Sequence, residues 1–397
     1  MPSRRSIVAG AILGATLSVL GRPIRRTVGM ALSARTERRL NRVAMRGPYR
    51  VSPAARDLHE RLTIVDLHAD SLLWGRTLLE RSDRGHVDVP RLIEGNVALQ
   101  VFALSTKVPR HLNIERNDDR TDDIALVALA QGWPAATWRS LLARAAYRSG
   151  RVASMAANAA GRLVVVRSVI DLDALIARRA AGESVVGGLL AIEGAHALDD
   201  EAANVDRLFD AGYRMVGLAH FFDNAFAGSA HGIAKGGLTA AGREVVGRLE
   251  ARSMIVDLAH ASAATIDDAL AIATRPLVVS HTGVRGTADN SRNLSDDQVR
   301  GVAATGGVIG IGFWPTASGG DDAASIARSI SHAVAIVGAE HVALGSDFDG
   351  GVPVPFDVSG LPLLTAALLA EGLDEATIAA VMGGSAVRFL RAALPAR

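Results

Sequence analysis

The feature that most constrains the fold is a repeated alternation of short apolar runs with connectors of helical length. From about residue 58 onwards the chain contains eight runs rich in Val, Ile, Leu and Ala. They are Leu62–Asp66, Ala98–Leu104, Val186–Ile192, Met215–Ala219, Met254–Leu258, Leu277–Ser280, Val308–Phe313 and Val342–Gly345. Near-continuous apolar strands separated by helices are typical of a parallel sheet that is buried on both faces. Eight of them predict an α/β protein whose sheet closes into a (β/α)8 TIM barrel.

The connector between the second and third runs is longer than the others. It holds about 80 residues rich in Ala and Arg, which we interpret as inserted helices with one extra short strand at Leu163–Val166. No Pro-, Gly- or Ser-rich linker divides residues 51–397. We therefore expect those residues to form one barrel domain.

Residues 1–50 differ in charge from the rest of the chain. They hold 11 Arg and a single acid, Glu37, whereas the remainder holds 32 basic and 40 acidic residues. The net charge of +2 therefore combines a basic extension with a mildly acidic body. Because the excess of positive charge is confined to the extension, we expect no nucleic-acid-binding domain.

The N-terminal extension also contains an uncharged apolar run of 15 residues, Ile7–Gly21, after Arg4 and Arg5. Its length suits a signal peptide better than a membrane span of ~20 residues, and Ser3–Val8 loosely resembles a twin-arginine export signal. The nine Arg that follow oppose translocation. A cleaved signal, an uncleaved anchor or membrane-surface segment, and a disordered basic tail remain as alternatives. We expect an exported or membrane-associated protein.

Polar side chains follow six of the eight runs at the point where each run ends. They are His68, Asp70, Glu193, His220, His260, His281 and Asp347. Because the carboxyl ends of the strands meet at one mouth of a TM-type parallel barrel, side chains about 280 positions apart are predicted to converge on one pocket.

The residue types in this pocket predict a metal site. The chain has no Cys, so any metal must be held by His and carboxylate side chains. Alternate residues of a strand point to the same face, which places His68 and Asp70 together. Five such side chains on four strands, the pair with Glu193, His260 and His281, would be costly to bury without a cation.

The number of candidate ligands favours two metal ions over one. A catalytic zinc takes three protein ligands and a water, and the pocket offers more than that. Two cations about 3.5–4 Å apart need a carboxylate between them, and Glu193 is the natural bridge. A carboxylated lysine is not expected there, because the only lysines, Lys107 and Lys235, do not end a strand.

Seven stretches of the chain together resemble the membrane dipeptidase (renal dipeptidase) family, dinuclear zinc peptidases of the amidohydrolase-like barrel superfamily. The resemblance covers roughly residues 60–392 and depends on the order and spacing of the stretches. They are Asp66-x-His68-x-Asp70, Ile192–His196, Gly237–Thr239 with Gly242–Val246, Ile255–His260, Ser280-His281, Ser291–Leu294 and Gly345–Gly350.

The resemblance implies an enzyme that hydrolyses dipeptides to free amino acids through a hydroxide bridging two zinc ions. One zinc would be bound by His68, Asp70 and Glu193, and the other by Glu193, His260 and His281. Sites of this composition also accept Mn²⁺ or Co²⁺, so the metal loaded in the cell stays open. A homodimer is implied as well.

The resemblance implies three further roles in the pocket. Asp347 would accept the proton of the water and pass it to the leaving amine. His220 would bind the substrate carbonyl oxygen and stabilise it as it becomes an oxyanion. Arg292 would hold the free C-terminal carboxylate of the dipeptide; the alternative is an ion pair with Asp289 or Asp296.

Two stretches depart from the family pattern and leave specificity open. Gly312–Pro315 differs from the aromatic pattern of mammalian members, and the insertion after the second run has no close counterpart that we can match. The side-chain and stereochemical preferences are therefore not predicted. We expect His196 to orient a ligand, and the remaining histidines to face solvent or cap helices. These are His59, His86, His111, His231, His332 and His341.

Two other functions stay open at this point. One is an amidohydrolase of the same fold that acts on N-acyl amino acids or β-lactams. The other is a non-catalytic, membrane-tethered binding protein on the same scaffold.

Overall fold

The computed structural model describes residues 22–397. The apolar run predicted at residues 7–21 lies outside these residues. Within the described range, no helix has both the length and the apolar character needed to cross a bilayer.

Eight parallel strands close into a barrel, as predicted. All nine strands of the sheet are β1 Ile64–Ala69, β2 Val97–Ser105, β3 Leu163–Val165, β4 Val186–Glu193, β5 Tyr213–Gly217, β6 Ile255–Asp257, β7 Val278–Thr282, β8 Val308–Ile311 and β9 Val342–Leu344. The ring runs β1-β2-β4-β5-β6-β7-β8-β9 and returns to β1. Each of the eight predicted runs overlaps one strand of this ring.

The ninth strand, β3, lies outside the ring and is the extra strand predicted within the insertion. It pairs with Val186–Gly188 at the start of β4, whereas Leu190–Ile192 further along β4 pairs with β5. Strand β3 therefore lies beside the amino-terminal end of β4, away from the end that carries Glu193.

Fifteen α-helices surround the sheet in the described range. They are α1 Arg22–Leu40, α2 Pro53–Arg61, α3 Val89–Glu94, α4 Asp123–Ala130, α5 Leu141–Ala157, α6 Val169–Ala180, α7 Val205–Asp210, α8 Ala240–Ala251, α9 Ala263–Ile272, α10 Asp296–Ala304, α11 Pro315–Ser318, α12 Ala323–Val337, α13 Leu361–Ala370, α14 Glu375–Ala379 and α15 Ser385–Ala393. Helices α4 to α6 lie between β2 and β4, which confirms the predicted helical insertion.

Local sequence explains where most of these helices begin. A Ser, Thr or Asp side chain precedes the first turn and accepts a hydrogen bond from a backbone amide of that turn, as at Ser140, Ser168, Thr239 and Asp322. Such caps satisfy amides that have no partner within the helix. Ser295 and Gln298 form a reciprocal capping box at the start of α10.

The core covers both faces of the barrel strands. Every residue of β1, β2 and β4 is buried. The C-terminal helix α15 contributes Phe389 and Leu390 to a cluster that includes Leu67 and Val101. Strands buried on both sides explain why the runs in the sequence are continuous and do not alternate between apolar and polar residues.

Gly345, which directly follows β9, tests how tightly the barrel is packed. A Cβ at this position would overlap the carbonyl oxygen of Ser280 and lie 2.9 Å from the Cα of His281. We expect Gly345→Ala to lower the free energy of unfolding by about 1–3 kcal/mol, because the backbone of β7 cannot move aside. The measurement is the urea midpoint by circular dichroism.

Gly247→Ala is the matched control, because a Cβ there meets nothing within 4 Å and the residue lies inside α8. It should raise the free energy of unfolding by about 0.5–1 kcal/mol. Equal midpoints for the two variants would contradict the close packing inferred at Gly345.

Candidate metal centre

The carboxylate of Glu193, the last residue of β4, lies at the centre of the predicted pocket. Its Oε1 atom is 3.0 Å from His260 Nε2, 3.4 Å from His281 Nε2 and 3.6 Å from His68 Nε2. Its Oε2 atom is 3.2 Å from Nε2 of His220. One carboxylate therefore contacts four imidazoles that come from four other strands, as the carboxyl-end geometry predicts.

Two further carboxylates lie on the β1 side of the pocket. The Nε2 atom of His68 is 3.3 Å from Asp70 Oδ2 and 4.0 Å from Asp347 Oδ1. His68 lies within β1 and Asp70 directly follows it, so their alternation places both side chains on one face. The structure thus brings together all seven side chains that follow the apolar runs.

Burial changes the protonation of this pocket. It raises the pKa of Glu193 well above its usual range, and the charges of Asp70 and Asp347 raise it further. Burial and Asp70 also raise the pKa of Asp347, to about 7. Burial lowers the pKa of His68, but its hydrogen bond to Asp70 and the charge of Glu193 outweigh that and bring it to about 10. Crowded carboxylates of this kind favour a bound cation.

The other three imidazoles are held neutral. Burial lowers the pKa values of His220, His260 and His281 well below the usual range for histidine. A neutral imidazole has one ring nitrogen with a free lone pair, and this is the form that binds a metal ion.

A hydroxyl and a carboxylate orient His281. Ser280 Oγ donates to Asp257 Oδ2 at 2.6 Å and lies 2.9 Å from His281 Nδ1. Because the hydroxyl proton points to Asp257, the hydroxyl oxygen accepts the Nδ1 proton of His281. The lone pair of His281 is then on Nε2, which faces Glu193.

His231 orients His260 in the same manner, and here the sequence-based expectation was wrong. We expected His231 to face solvent or cap a helix, yet it is buried. Its Nδ1 donates to the Ile114 carbonyl at 2.6 Å, and its Nε2 is 3.0 Å from His260 Nδ1. The Nε2 atom of His231 then carries no proton and accepts the Nδ1 proton of His260. The lone pair of His260 is therefore on its Nε2 atom.

Two other histidines are also buried, contrary to the same expectation. His59 bonds to Thr365 and to the Gly95 carbonyl, and His86 accepts a hydrogen bond from the Asp349 amide. No strand-end pattern marks these positions. Their burial depends on segments that pack over them from distant parts of the chain.

The backbone at two of the pocket residues is strained. His260 has φ 62° and Asp347 has φ 60°, both in the left-handed region that favours glycine. Such conformations persist only where surrounding contacts enforce them, and they cluster at functional sites. The strain supports a functional role for this end of the barrel.

The residues present fit a metal centre. Three overlapping sets of buried donors have ligand atoms within 4.8 Å of one another; they are His68 with Glu193 and His281, Glu193 with His220 and His260, and His68 with Asp70 and Asp347. The Oδ1 atom of Asp70 is buried and has no hydrogen-bond partner among the residues that the structure describes. The Nε2 atoms of His260 and His281 are only 2.9 Å apart. Two lone pairs at that distance need a cation between or beside them.

Arg292 is a buried cation at the edge of the pocket. Its Nη2 donates to the His281 carbonyl at 2.6 Å, and its guanidinium carbon is 5.6 Å from the centroid of the Trp314 ring. Burial lowers its pKa to about 10. Neither Asp289 nor Asp296 forms the alternative ion pair with Arg292 in the described part of the chain, and Asp296 pairs with His332.

His196 lies beside His220 without a bonded nitrogen. Its ring stacks at 6.5 Å from that of His220 and contacts Phe222 at 4.9 Å. Both ring nitrogens are buried without a partner, and burial lowers its pKa to about 3. The expectation that His196 orients a ligand was therefore wrong, because neither of its nitrogens bonds to a pocket residue in the described part of the chain.

The sequence profile of the membrane dipeptidase family (peptidase family M19) matches residues 53–396. The chain belongs to the membrane dipeptidase family. The protein is thus a metallodipeptidase, as the resemblance of its motifs implied.

Individual relatives agree with the family assignment. Dipeptidase verJ of Clonostachys rogersoniana is 29% identical over 325 residues, which cover 77% of this chain and 82% of that protein. An uncharacterised protein from the pqqA 5′ region of Klebsiella pneumoniae is 33% identical over 251 residues, or 59% of this chain and 90% of that one.

A solved structure matches the fold and most of the length of this metallodipeptidase. The metallopeptidase of Rhodobacter sphaeroides, liganded with a phosphinate mimic of the dipeptide L-Ala-D-Ala, superimposes with a TM-score of 0.68 at 25% identity. The match covers 84% of this chain and 99% of the other.

Proposed function

We propose that this metallodipeptidase cleaves dipeptides with two zinc ions. The first would be held by His68, Asp70 and Glu193, and the second by Glu193, His260 and His281. The observation that carries the proposal is the position of Glu193, because one of its oxygens lies within 3.6 Å of three imidazoles on three strands.

A bridging role for Glu193 follows from charge and position. His68, His260 and His281 all approach its Oε1 atom, Asp70 lies beside His68, and His220 faces its Oε2 atom. Two cations repel each other, and a carboxylate shared between them offsets part of that repulsion. The other carboxylates of the pocket, Asp70 and Asp347, both lie near His68, so Glu193 alone is placed to serve both ions.

Two side chains support the bond cleavage. When bound, a pair of divalent ions lowers the pKa of water and polarises the scissile carbonyl. Asp347, 4.0 Å from His68, would accept the proton of the attacking water and give it to the leaving amine.

His220 is proposed to bind the substrate carbonyl oxygen and to stabilise its developing charge. Its Nδ1 is 2.9 Å from Ser105 Oγ, and its Nε2 faces the pocket. Ser105 Oγ is also 3.3 Å from the Lys107 carbonyl, and the ring proton is on Nε2 when Ser105 turns its own proton to His220 Nδ1. The ring then offers a preorganised donor where an oxyanion forms.

Arg292 is proposed to bind the C-terminal carboxylate of the substrate. Arg292 forms no ion pair with an acid among residues 22–397, and a buried guanidinium in that state is costly. A substrate carboxylate would satisfy it with two charge-assisted hydrogen bonds. This preference for a free carboxylate would restrict the enzyme to dipeptides. Because the Rhodobacter relative was crystallised with a mimic of L-Ala-D-Ala, we include a D-residue at the C-terminal position among the proposed substrates.

A pair of variants separates the proposed metal ligand from the proposed base. We expect Glu193→Gln to lose both bound metal and dipeptidase activity, because a neutral amide cannot bridge two cations. Asp347→Asn should keep the metal content of the wild type and lose about 10²–10⁴-fold in kcat. Metal content by mass spectrometry, with hydrolysis of a panel of dipeptides ending in L- or D-residues, measures both.

Two results would contradict this scheme. They are wild-type activity after exhaustive treatment with a chelator, and an Asp347→Asn variant that turns over at the wild-type rate. Metal analysis of the wild type also decides between Zn²⁺, Mn²⁺ and Co²⁺.

The role of Arg292 is tested with substrates and a variant together. The wild type should strongly prefer a dipeptide to its C-terminal amide, because only the free acid pairs with the guanidinium. Arg292→Gln should lower kcat/KM for the dipeptide by about 10–10²-fold, the value of one to two charged hydrogen bonds. The same variant should leave hydrolysis of the amide unchanged. Equal losses of kcat/KM on both substrates would show that Arg292 has only a structural role.

We also propose that residues 7–21 direct the protein to a membrane or out of the cytoplasm, and that the enzyme is a homodimer. The uncharged run flanked by Arg supports the first point, and the family resemblance supports the second. Fractionation of cells that express residues 1–397 or 27–397 should find only the longer chain with the membrane or export fraction. Identical distributions of the two chains would refute this proposed role of residues 7–21.

Light scattering should give the mass of two chains. The mass of a single chain would refute the proposed homodimer.

A further inference from the structure

Helix α1 carries one acid among its arginines, and that acid is buried in the barrel. Glu37 is 1% exposed. Its Oε1 accepts from Arg76 Nε at 2.6 Å, and its Oε2 accepts from Arg84 Nε at 2.7 Å. Both arginines belong to the loop that follows β1. The N-terminal segment is therefore joined to that loop by a buried ion pair.

Arg76 passes this connection on to the loop that follows β9. Its Nη2 donates to Asp349 Oδ2 at 2.6 Å, and its Nη1 donates to the Val87 carbonyl at 2.6 Å. Asp349 is completely buried, and Ser71 Oγ donates to its Oδ2 at 2.6 Å. The Nε, Nη1 and Nη2 atoms of Arg76 thus each donate to a buried acceptor.

Asp349 is two residues from Asp347, and the turn between them is held from several sides. The Asp349 amide donates to His86 Nδ1 at 2.9 Å, and its carbonyl accepts from Trp74 Nε1 at 2.7 Å. Both Asp347 and Asp349 have left-handed backbones, with φ 60° and 64°. A strained turn of this kind keeps its shape only while its contacts hold. The direction of the Asp347 carboxyl therefore depends on how Asp349 is anchored.

A second connection from the N-terminal segment reaches the same turn. Asn41 Oδ1 accepts from the Gly351 amide at 2.8 Å, directly after the turn. Val43 pairs with Val354, and the Met45 amide donates to the Pro355 carbonyl at 2.9 Å. The chain from α1 to residue 45 therefore follows the loop after β9 along several residues.

These contacts come from outside the region that the family profile matches, which begins at residue 53. The catalytic-site residues and Arg76 lie within that region, whereas Glu37 and Asn41 precede it. The N-terminal segment thus adds a support to a barrel that already contains the complete set of site residues.

We propose that residues 27–45, which we call the N-terminal clasp, position Asp347 for proton transfer through the contacts Glu37–Arg76–Asp349. This inference rests on the proposed role of Asp347 as the base. Glu37 and Arg76 are positioning residues, because neither touches the substrate. The clasp holds the loops after β1 and β9 at a fixed separation, and these two loops carry Asp70 and Asp347.

Removing the Glu37 charge has a defined consequence. In Glu37→Gln, Arg76 and Arg84 lose the anion that lies between them, and their two positive charges are left facing each other in a buried place. We expect this repulsion to turn Arg76 towards solvent, where it no longer binds Asp349. A displacement of a catalytic group by about 1 Å can cost up to 10²-fold in rate.

The test compares Glu37→Gln with Arg38→Gln in the full chain loaded with metal. Arg38 is the neighbouring residue of α1, and its ion pair with Asp83 at 2.6 Å is exposed. We expect Glu37→Gln to lower kcat by about 10-fold or more, with KM within about two-fold and the metal content unchanged. Arg38→Gln should match the wild type in all three.

Hydrogen exchange gives a readout that does not depend on activity. Amides of the turn after β9 are bonded to Ser346 Oγ, His86 Nδ1, Asp347 O and Asn41 Oδ1. Peptides that cover residues 346–351 should exchange faster in Glu37→Gln than in Arg38→Gln or the wild type. Peptides that cover β4 and β6 should exchange equally in all three. Equal exchange across residues 346–351 would overturn the proposal.

A milder variant covers the case in which Glu37→Gln does not fold. Asn41→Ala removes the acceptor for the Gly351 amide and leaves the ion pairs intact. It should speed exchange at residues 350–351 and lower kcat by a few-fold without loss of metal. Faster exchange with unchanged kcat would refute the positioning role. If the wild type hydrolyses no dipeptide, the proposed function fails, and the exchange result still decides whether the clasp holds the turn.

Discussion

The burial of seven titratable side chains in one pocket is the constraint on which the rest of the structure depends. No more than 8% of any of these residues is exposed to solvent. Carboxylates and imidazoles in such a place must be paired with each other, with hydrogen-bonding groups or with cations. The barrel makes the pairing possible, because parallel strands bring residues that are far apart in the chain to one mouth. Glu193 is where these contacts meet.

A second layer of polar groups fixes the protonation of the pocket. Asp257 acts through Ser280 on His281, and Ile114 acts through His231 on His260. Each of these chains of hydrogen bonds ends with a lone pair on Nε2, which faces Glu193. The geometry is therefore set for metal binding by atoms that do not themselves reach the pocket centre. A substitution in this second layer would change the affinity for metal without replacing any metal-ligating side chain.

The eight strands and the convergence of their polar ends could be predicted because both depend on local pattern. A buried parallel strand leaves a continuous apolar run, and the residue after it must face the mouth of the barrel. The extent of β1 was less well predicted. The predicted run ends at Asp66, but the strand continues to Ala69, because Ala69 pairs with Phe102 of β2 and also bridges to Phe348. His68 therefore lies inside the strand.

The contacts made by loops could not be predicted from the sequence. His231 reaches His260 only because the loop after β5 folds back over the pocket, and its position follows no strand end. The ion pair of Glu37 and Arg76 joins residues 39 positions apart, and no periodicity marks it. Side-chain partners of this type are fixed by tertiary packing, which local patterns do not encode.

Hydrogen bonds join the insertion after β2 to the loop that carries His231, and they affect the protonation of the pocket. The Asn117 amide donates to the His231 carbonyl, and the His231 ring donates to the Ile114 carbonyl. Any motion that lifts this part of the insertion also removes the acceptor that fixes the His231 tautomer, and with it the lone pair of His260. The metal-binding form of His260 therefore depends on a segment that belongs to the insertion and not to the barrel itself.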